Sequence, residues 1–277
     1  MPEGPETRRM ADSISKSLVG KKILSFNFFH ESLKTLKKRS QVSVKESVSR
    51  GKAVLIRING GQSIITHNQL YGKWTFHRPD TQVKTNRQLR IEFITEKKAV
   101  RLWSATDIVL CKTSDELSHS YISKIGPDVL DDSTSSTTIL DRLNSKKFRN
   151  RQLGTTLLDQ SFIAGLGNYL RSEILFFSKL HYRDKPAFLK KNQLTNLSNQ
   201  IKKVSLRAYA QKGKTLNYDK FKELYGNIEN FRKIRHMAFA RSRKPCFHCG
   251  EIIHREISAS RRIYLCIECQ NQGKQGI

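Results

Sequence analysis

Apolar residues recur at Met10, Ile14 and Leu18, one face of a helix over residues 5–18. Pro5 suits its first turn, Glu6 faces the positive end of its dipole, and Gly20 stops it. The texture then changes to short runs rich in β-branched and aromatic residues: 23–29, 42–48, 53–58, 63–66, 73–76, 89–94, 99–103 and 108–110. Turn residues separate several of them, most clearly Asn59-Gly60-Gly61. Many short strands at close spacing indicate a sandwich or a barrel. Gly126-Pro127-Asp128 and then the run 131–138 are polar and small, and 126–136 reads as a hinge, with Ser or Thr there capping the next helix. Beyond it the period becomes helical, over 137–144, 151–160, 168–179, 192–211 and 218–224. The expected class is α+β, with a β-rich domain at 1–125, a hinge at 126–136, a helical domain at 137–238 and a cysteine module with tail at 239–277. Two domains enclosing a cleft suit a rod-shaped partner.

Charge narrows the partner. The 277 residues hold 51 Lys and Arg against 24 Asp and Glu, a formal +27. Such an excess repels itself unless a polyanion shares the surface. No apolar stretch approaches the roughly 18–20 residues of a membrane helix, and residues 1–9 contain no apolar core of a secretory signal. A cytoplasmic polyanion binder without a membrane partner is expected.

Four of the five cysteines form Cys246-x2-Cys249-x16-Cys266-x2-Cys269. Two C-x2-C knuckles on a hairpin are a four-thiolate zinc pattern, and a closed thiolate set makes one structural zinc the expected cofactor. His248 and His254 are bystanders on this count, and Cys111 reads as a small buried hydrophobe.

Chemistry could begin at Pro2. Removal of Met1 exposes a secondary amine, and an α-amino group titrates near pH 7.7–8, leaving a useful neutral fraction. Its attack on an aldehyde carbon gives an iminium, an electron sink for elimination at the next carbon. Glu3, beside the amine and ahead of the helix, is placed for general acid/base work, whereas Glu6 suits the helix dipole.

These residues carry a resemblance. Met1-Pro-Glu-Gly-Pro-Glu6, Arg50-Gly51-Lys52, Gly165-Leu166-Gly167-Asn168-Tyr169 and the terminal four-cysteine module resemble, in order, the formamidopyrimidine-DNA glycosylase and endonuclease VIII family. The resemblance implies an N-terminal β-sandwich led by a helix, a hinge, and a helical helix–two-turns–helix domain with a zinc finger. It implies a bifunctional DNA glycosylase/AP lyase of base excision repair, with Pro2 attacking C1′, Glu3 protonating the sugar ring oxygen and Lys52 near the base and its phosphate. Asn168 matches a phosphate-binding asparagine; Gly165 and Gly167 would let backbone N–H groups approach that phosphate. Arg261 matches the finger arginine used on phosphates beside the lesion, with Arg262 as a basic neighbour. His67-Asn68-Gln69-Leu70-Tyr71-Gly72 resembles the endonuclease VIII pattern, in which Gln69, Leu70 and Tyr71 fill the gap left by a flipped nucleotide.

The implied substrate is duplex DNA with oxidised pyrimidines or abasic sites, nicked by β,δ-elimination through a Schiff base on Pro2, by a monomer that is cytoplasmic and associated with the nucleoid. The alternatives are an oxidised-purine glycosylase of the same family and a non-catalytic zinc-finger DNA-binding protein. Two stretches depart from the family pattern. The run 237–245 lacks glycine and carries Arg241, Arg243 and Lys244, which implies added phosphate affinity, and the tail 270–277 is long and expected to be disordered.

Overall fold

The computed structural model describes residues 2–216, 218–225 and 234–270. They form two compact units, one of Pro2 with Glu6–Lys124, the other of Glu3–Pro5 with the residues from Ile125 onward. Among the described residues no helix is long and apolar enough to cross a membrane.

In the first unit, helix α1 (Gly4–Leu18) buries Ala11, Ile14 and Leu18 and ends before Gly20, whose φ of +68° lies in the left-handed region. Strands β1 (Ile23–Phe28), β6 (Leu89–Thr95), β7 (Ala99–Trp103) and β5 (Lys73–His77) form one antiparallel sheet in the order β1-β6-β7-β5. Strands β2 (Val44–Arg50), β3 (Ala53–Ile58), β4 (Gln62–His67) and β8 (Asp107–Lys112) form the other, in the order β2-β3-β4-β8. Val54, Ile56 and Ile64 of one sheet share a core with Phe93, Val100 and Leu102 of the other, closed by α1, so the architecture is a sandwich. The intervening Ala53 and Leu55 point to the opposite face, against Ile122. Each expected strand is present within a few residues. A 3₁₀ segment, Glu31–Lys38, was not expected; it buries Leu33 and Leu36 under the sandwich core.

The second unit is built on α2 (Ser136–Asn144), α3 (Leu153–Thr156), α4 (Asn168–Ser178), α5 (Lys191–Ala210) and α6 (Tyr218–Tyr225), followed by the hairpin β9 (Ile253–Ser258) and β10 (Arg261–Cys266). The helix expected over 151–160 stops at Thr156. There Asp159 accepts the Ser161 N–H at 2.8 Å and pairs with Arg151 at 2.7 Å, a local turn that competes with helix. The polar stretch 126–136 packs into this unit: Val129 and Leu130 join its core, and Lys202 Nζ donates to the Val129 and Asp131 carbonyls. Ser135 caps α2 through the Thr138 N–H. The tail also needs correction at its start. Gln270 is buried, accepting the Cys266 N–H and donating to the Leu180 carbonyl, each at 2.9 Å, while 271–277 lie outside the described residues.

Candidate active site

In the first unit the site residues gather at one end of the sandwich, because register forces it. Ala53 pairs with His67, and His67 with Asp107, so the turn 50–52 and the β4 and β8 ends are neighbours. Gly51, φ +59°, makes that turn, and the Lys52 N–H donates to the Tyr121 hydroxyl at 2.9 Å. Lys52 is 7% exposed, so it is no solvated surface lysine. Tyr121 also packs on the His67 ring, centroids 5.0 Å apart. Burial pushes the His67 pKa below its ordinary value, and Lys52 adds to this against the opposing charge of Asp107.

A pH dependence follows. With the folded pKa below about 6.5, the stability held by a neutral His67 is complete above that pH and is lost as pH falls through the folded value. His67→Gln should therefore flatten part of the acid limb of the melting profile. Ring titration by NMR checks the premise, and a midpoint at or above 6.5 would contradict it.

The loop 68–72 is fixed at both ends. The Gly72 N–H donates to the Asn68 carbonyl at 2.7 Å, and a Cβ on Gly72 would meet Asn68 Cα and O at 2.7 Å. Gln69 takes φ +46°, its N–H on His67 Nδ1, and its side-chain amide reaches Asp107 and Thr106 at 3.5 Å. Leu70 and Tyr71 project at the tip, 73% and 68% exposed. They are not core residues of a strand end.

In the second unit everything converges on the start of α4. Gly167 precedes the helix and supplies no side-chain cap. Glu3 does so from the far end of the sequence: its carboxylate accepts the Tyr169 N–H at 2.9 Å and the Leu170 N–H at 3.2 Å. A negative charge at a helix N-terminus satisfies orphan donors and the dipole together. The Gly4 N–H donates to the Gly165 carbonyl at 2.7 Å, holding the two strands of backbone together. Gly167 has a steric reason here, since a Cβ would lie 2.3 Å from Glu3 Cδ. The sequence-based expectation that this glycine admits a phosphate to the N–H groups is therefore corrected, because Glu3 occupies the Tyr169 and Leu170 donors. Pro2 is the residue peptide-bonded to this buried Glu3.

Asn168 is also engaged within the protein. Its Nδ2 donates to the Arg262 carbonyl and its Oδ1 accepts from Arg171, both at 2.8 Å. Arg171 is fully buried and donates as well to the Gly154, Ser258 and Arg262 carbonyls. Burial lowers its pKa to about 10, nearby Arg261 adds to the fall, and Glu3 opposes it. Two residues later Glu173, equally buried, accepts the Met237, Ala238 and Phe239 N–H groups and the Thr215 hydroxyl at 2.6–2.9 Å. Arg171 and Glu173 were not singled out from sequence. The available signal was the apolar run Ile174-Leu-Phe-Phe177, which marks α4 as buried all round and so requires partners for its charges.

The finger presents Arg261 as the first residue of β10, its side chain exposed, directly after Ala259 and Ser260 at φ +51° and +58°. This two-residue hairpin turn demands left-handed backbone at both positions. The run 237–245 meets the same demand without glycine, at Ala240 and Arg243. Arg241 does not reach outward: it donates to the Met237 and Pro245 carbonyls, stacks on Phe247, and burial lowers its pKa to about 10. The Sγ atoms of Cys246, Cys249, Cys266 and Cys269 lie within 4.8 Å of one another, with separations of 3.4, 3.5 and 3.8 Å. A tetrahedral site with bonds near 2.3 Å places sulfurs about 3.8 Å apart. The donor set fits a metal ion, and His248 and His254 are not in it. Cys111 is separate and half-buried in β8, its thiol donating to the Ser63 carbonyl.

Comparison with known proteins places the chain in a family. Residues 1–105 match the formamidopyrimidine-DNA glycosylase N-terminal domain, and residues 125–220 the H2TH domain of the same glycosylase. The chain is 36% identical over 274 residues to endonuclease 8 of Escherichia coli O9:H4 (strain HS), and 37% over 273 to that of Salmonella arizonae (strain ATCC BAA-731 / CDC346-86 / RSK2980). Each alignment covers 98% of this chain and all of the relative. Lactococcus lactis formamidopyrimidine-DNA glycosylase, solved non-covalently bound to DNA containing an AP site, superposes with a TM-score of 0.78 at 20% identity over 98% of this chain and all of that one, a likeness of fold. The chain belongs to the formamidopyrimidine-DNA glycosylase and endonuclease VIII family. Its full-length relatives at 36–37% identity carry the name endonuclease 8.

Proposed function

We propose that the protein is a DNA glycosylase/AP lyase of base excision repair that removes oxidised pyrimidines from duplex DNA. The observation that carries the reading is the buried Glu3 carboxylate, fixed on the start of α4 and covalently next to Pro2. With Met1 removed, the Pro2 amine attacks C1′ and the base leaves with the glycosidic electron pair. Glu3 takes the proton that the amine loses and passes it to O4′, so the sugar opens to an iminium. That cation accepts the electrons of the C2′–H bond as the 3′ C–O bond breaks, and a second elimination breaks the 5′ C–O bond. Hydrolysis of the remaining iminium frees the amine.

Lys52, buried at the sandwich end, supplies a fixed positive charge for the base and its phosphate. Asn168 and Arg261 serve phosphates, Asn168 through the hairpin it anchors. Zinc would be held by Cys246, Cys249, Cys266 and Cys269, where it supplies folding energy and no open coordination position.

Borohydride reduction on an abasic-site duplex tests the core of this. One covalent adduct on Pro2 by peptide mass mapping is expected; no adduct, or one on an internal lysine, would sink the mechanism. Relative cleavage of thymine glycol and 8-oxoguanine duplexes decides the lesion class, with thymine glycol expected to be cut faster.

Leu70 and Tyr71 are proposed to enter the base stack in place of the flipped nucleotide. Flipping costs a few kcal/mol of stacking. Leu70→Ala/Tyr71→Ala should thus slow single-turnover excision by about 10²-fold, from an estimated 2–3 kcal/mol of lost compensation. Because both side chains are exposed, the melting temperature should stay unchanged; equal losses of stability and rate would argue for a packing role instead.

A further inference from the structure

Five lysines, Lys16, Lys21, Lys22, Lys97 and Lys98, line an open pocket of about 510 Å³ with Leu24 and a single acid, Glu96. Five cations less one carboxylate leave +4. None of the five ammonium groups has an ion-pair or hydrogen-bond partner among the described residues. Five exposed ammonium groups around one pocket make a locally positive field that attracts an anion.

The pocket is remote from the residues that handle the damaged nucleotide. Ile23 pairs with Thr95, and Ala99 with Ile94 and His77, so the pocket sits at that end of its sheet. The loop bearing Leu70 and Tyr71 adjoins the other end, where Trp103 pairs with Lys73 and Leu89. Strand β7 alone separates the two by roughly 13 Å at about 3.3 Å per residue. Helix α1 begins next to Glu3 and ends at the pocket, 15 residues or about 22 Å away. That exceeds two Debye lengths at physiological salt.

We propose that this pocket is a second, sequence-independent phosphate site that grips DNA away from the damaged nucleotide. The inference rests on the reading that the protein works on DNA. Its chemistry favours phosphodiester over an acidic protein. Lysine binds phosphate as a point charge in many orientations, which suits a sequence-independent backbone contact, and the pocket contains no arginine whose fork would fix one bidentate geometry. Leu24 is its one large apolar side chain, too little for the anchored core of a protein interface. Part of the +27 excess is thereby assigned to a second contact rather than to the catalytic end.

Lysine acylation measured by mass spectrometry tests this on the full chain. An undamaged duplex should protect Lys21, Lys22, Lys97 and Lys98 at least threefold at low salt and not at high salt. Protection by a long duplex at one equivalent places the phosphates farther along the same DNA. Protection by a short duplex only beyond one equivalent places them on a second segment, and either result supports the site. Lys21→Gln/Lys22→Gln/Lys97→Gln/Lys98→Gln should lower the slope of log Kobs against log salt by about 3.6, near 0.9 per lost contact. The four Lys→Arg replacements should restore it. Unprotected lysines with an unchanged slope would overturn the proposal, as would protection by polyglutamate but not by DNA. Borohydride trapping on a short abasic duplex should be equal in all variants. Loss of trapping in the wild type condemns the proposed function, whereas intact trapping with unprotected lysines condemns only this site.

Discussion

Gly167→Ala should lose base excision by about 10²–10⁴-fold while the protein remains folded, the range expected when a positioned acid/base group is displaced. Gly167 has φ −148°, which any residue adopts, so backbone strain plays no part. The conflict is spatial, because the new Cβ would lie 2.3 Å from Glu3 Cδ and 2.5 Å from Oε1. These atoms end a flexible side chain, and the carboxylate will move before the α4 backbone does. It then abandons the Tyr169 and Leu170 N–H groups. Losing two charge-assisted bonds, partly replaced by water, costs about 1–3 kcal/mol of stability. Gly4→Ala is the informative contrast: its Cβ would meet Gly165 Cα at 3.0 Å, backbone that cannot swing away, so stability should fall further. Single-turnover excision on a thymine glycol duplex, read beside thermal melting, checks the split. Full excision by Gly167→Ala would show that the Glu3 position is immaterial to the chemistry.

That steric pairing shows where sequence reading stops. Residues 3 and 167 are separated by the whole sandwich in sequence, and G-x-G-N by itself looks like a phosphate loop. Local pattern located the elements well because it reports local physics. A short β-rich apolar run ending at a turn gave β3 to the residue, and Met10, Ile14 and Leu18 gave the helix that buries Ile14 and Leu18. It failed at 151–160, where the Asp159 side chain captures the next turn, and at Glu31–Lys38, whose two buried leucines are too few to show a period. The cysteine cluster was legible because metal ligation forces spacing on the chain itself. Arg171 and Glu173 were not, since the apolar run 174–177 marks their helix as buried but not which backbone groups, up to 91 residues away, receive the two charges. Tyr121 under Lys52 depends likewise on a contact 69 residues away.

Removal of the metal should have the largest structural effect, and it should not stay within the finger. One zinc per chain is expected. Chelation or Cys249→Ser should abolish its binding, an interaction of about 10–16 kcal/mol in finger peptides near neutral pH. Without metal, burial outweighs the Cys269 backbone N–H and pushes the Cys266 thiol up to about 11, so zinc must displace protons on binding. Its affinity should accordingly rise with pH and weaken on acidification. The hairpin that the metal ties down supplies the Arg262 and Ser258 carbonyls to Arg171 and the Arg262 carbonyl to Asn168. Upstream of it, the 237–239 backbone satisfies Glu173, and Met237 and Ala238 pack with Cys246 and Cys266 in one cluster. If the hairpin melts, α4 keeps a buried guanidinium short of acceptors, at several kcal/mol per unsatisfied ion. The metal-free protein should therefore lose the α4 core together with the finger, in one transition shared by hydrogen exchange in α4 and β10. Loss of protection in β10 alone, with α4 as protected as before, would show that the finger is an independent appendage. If the two melt together, Arg261 loses its hairpin and Glu3 its helix end in the same step, so excision and binding of undamaged DNA should fall in parallel as zinc is withdrawn.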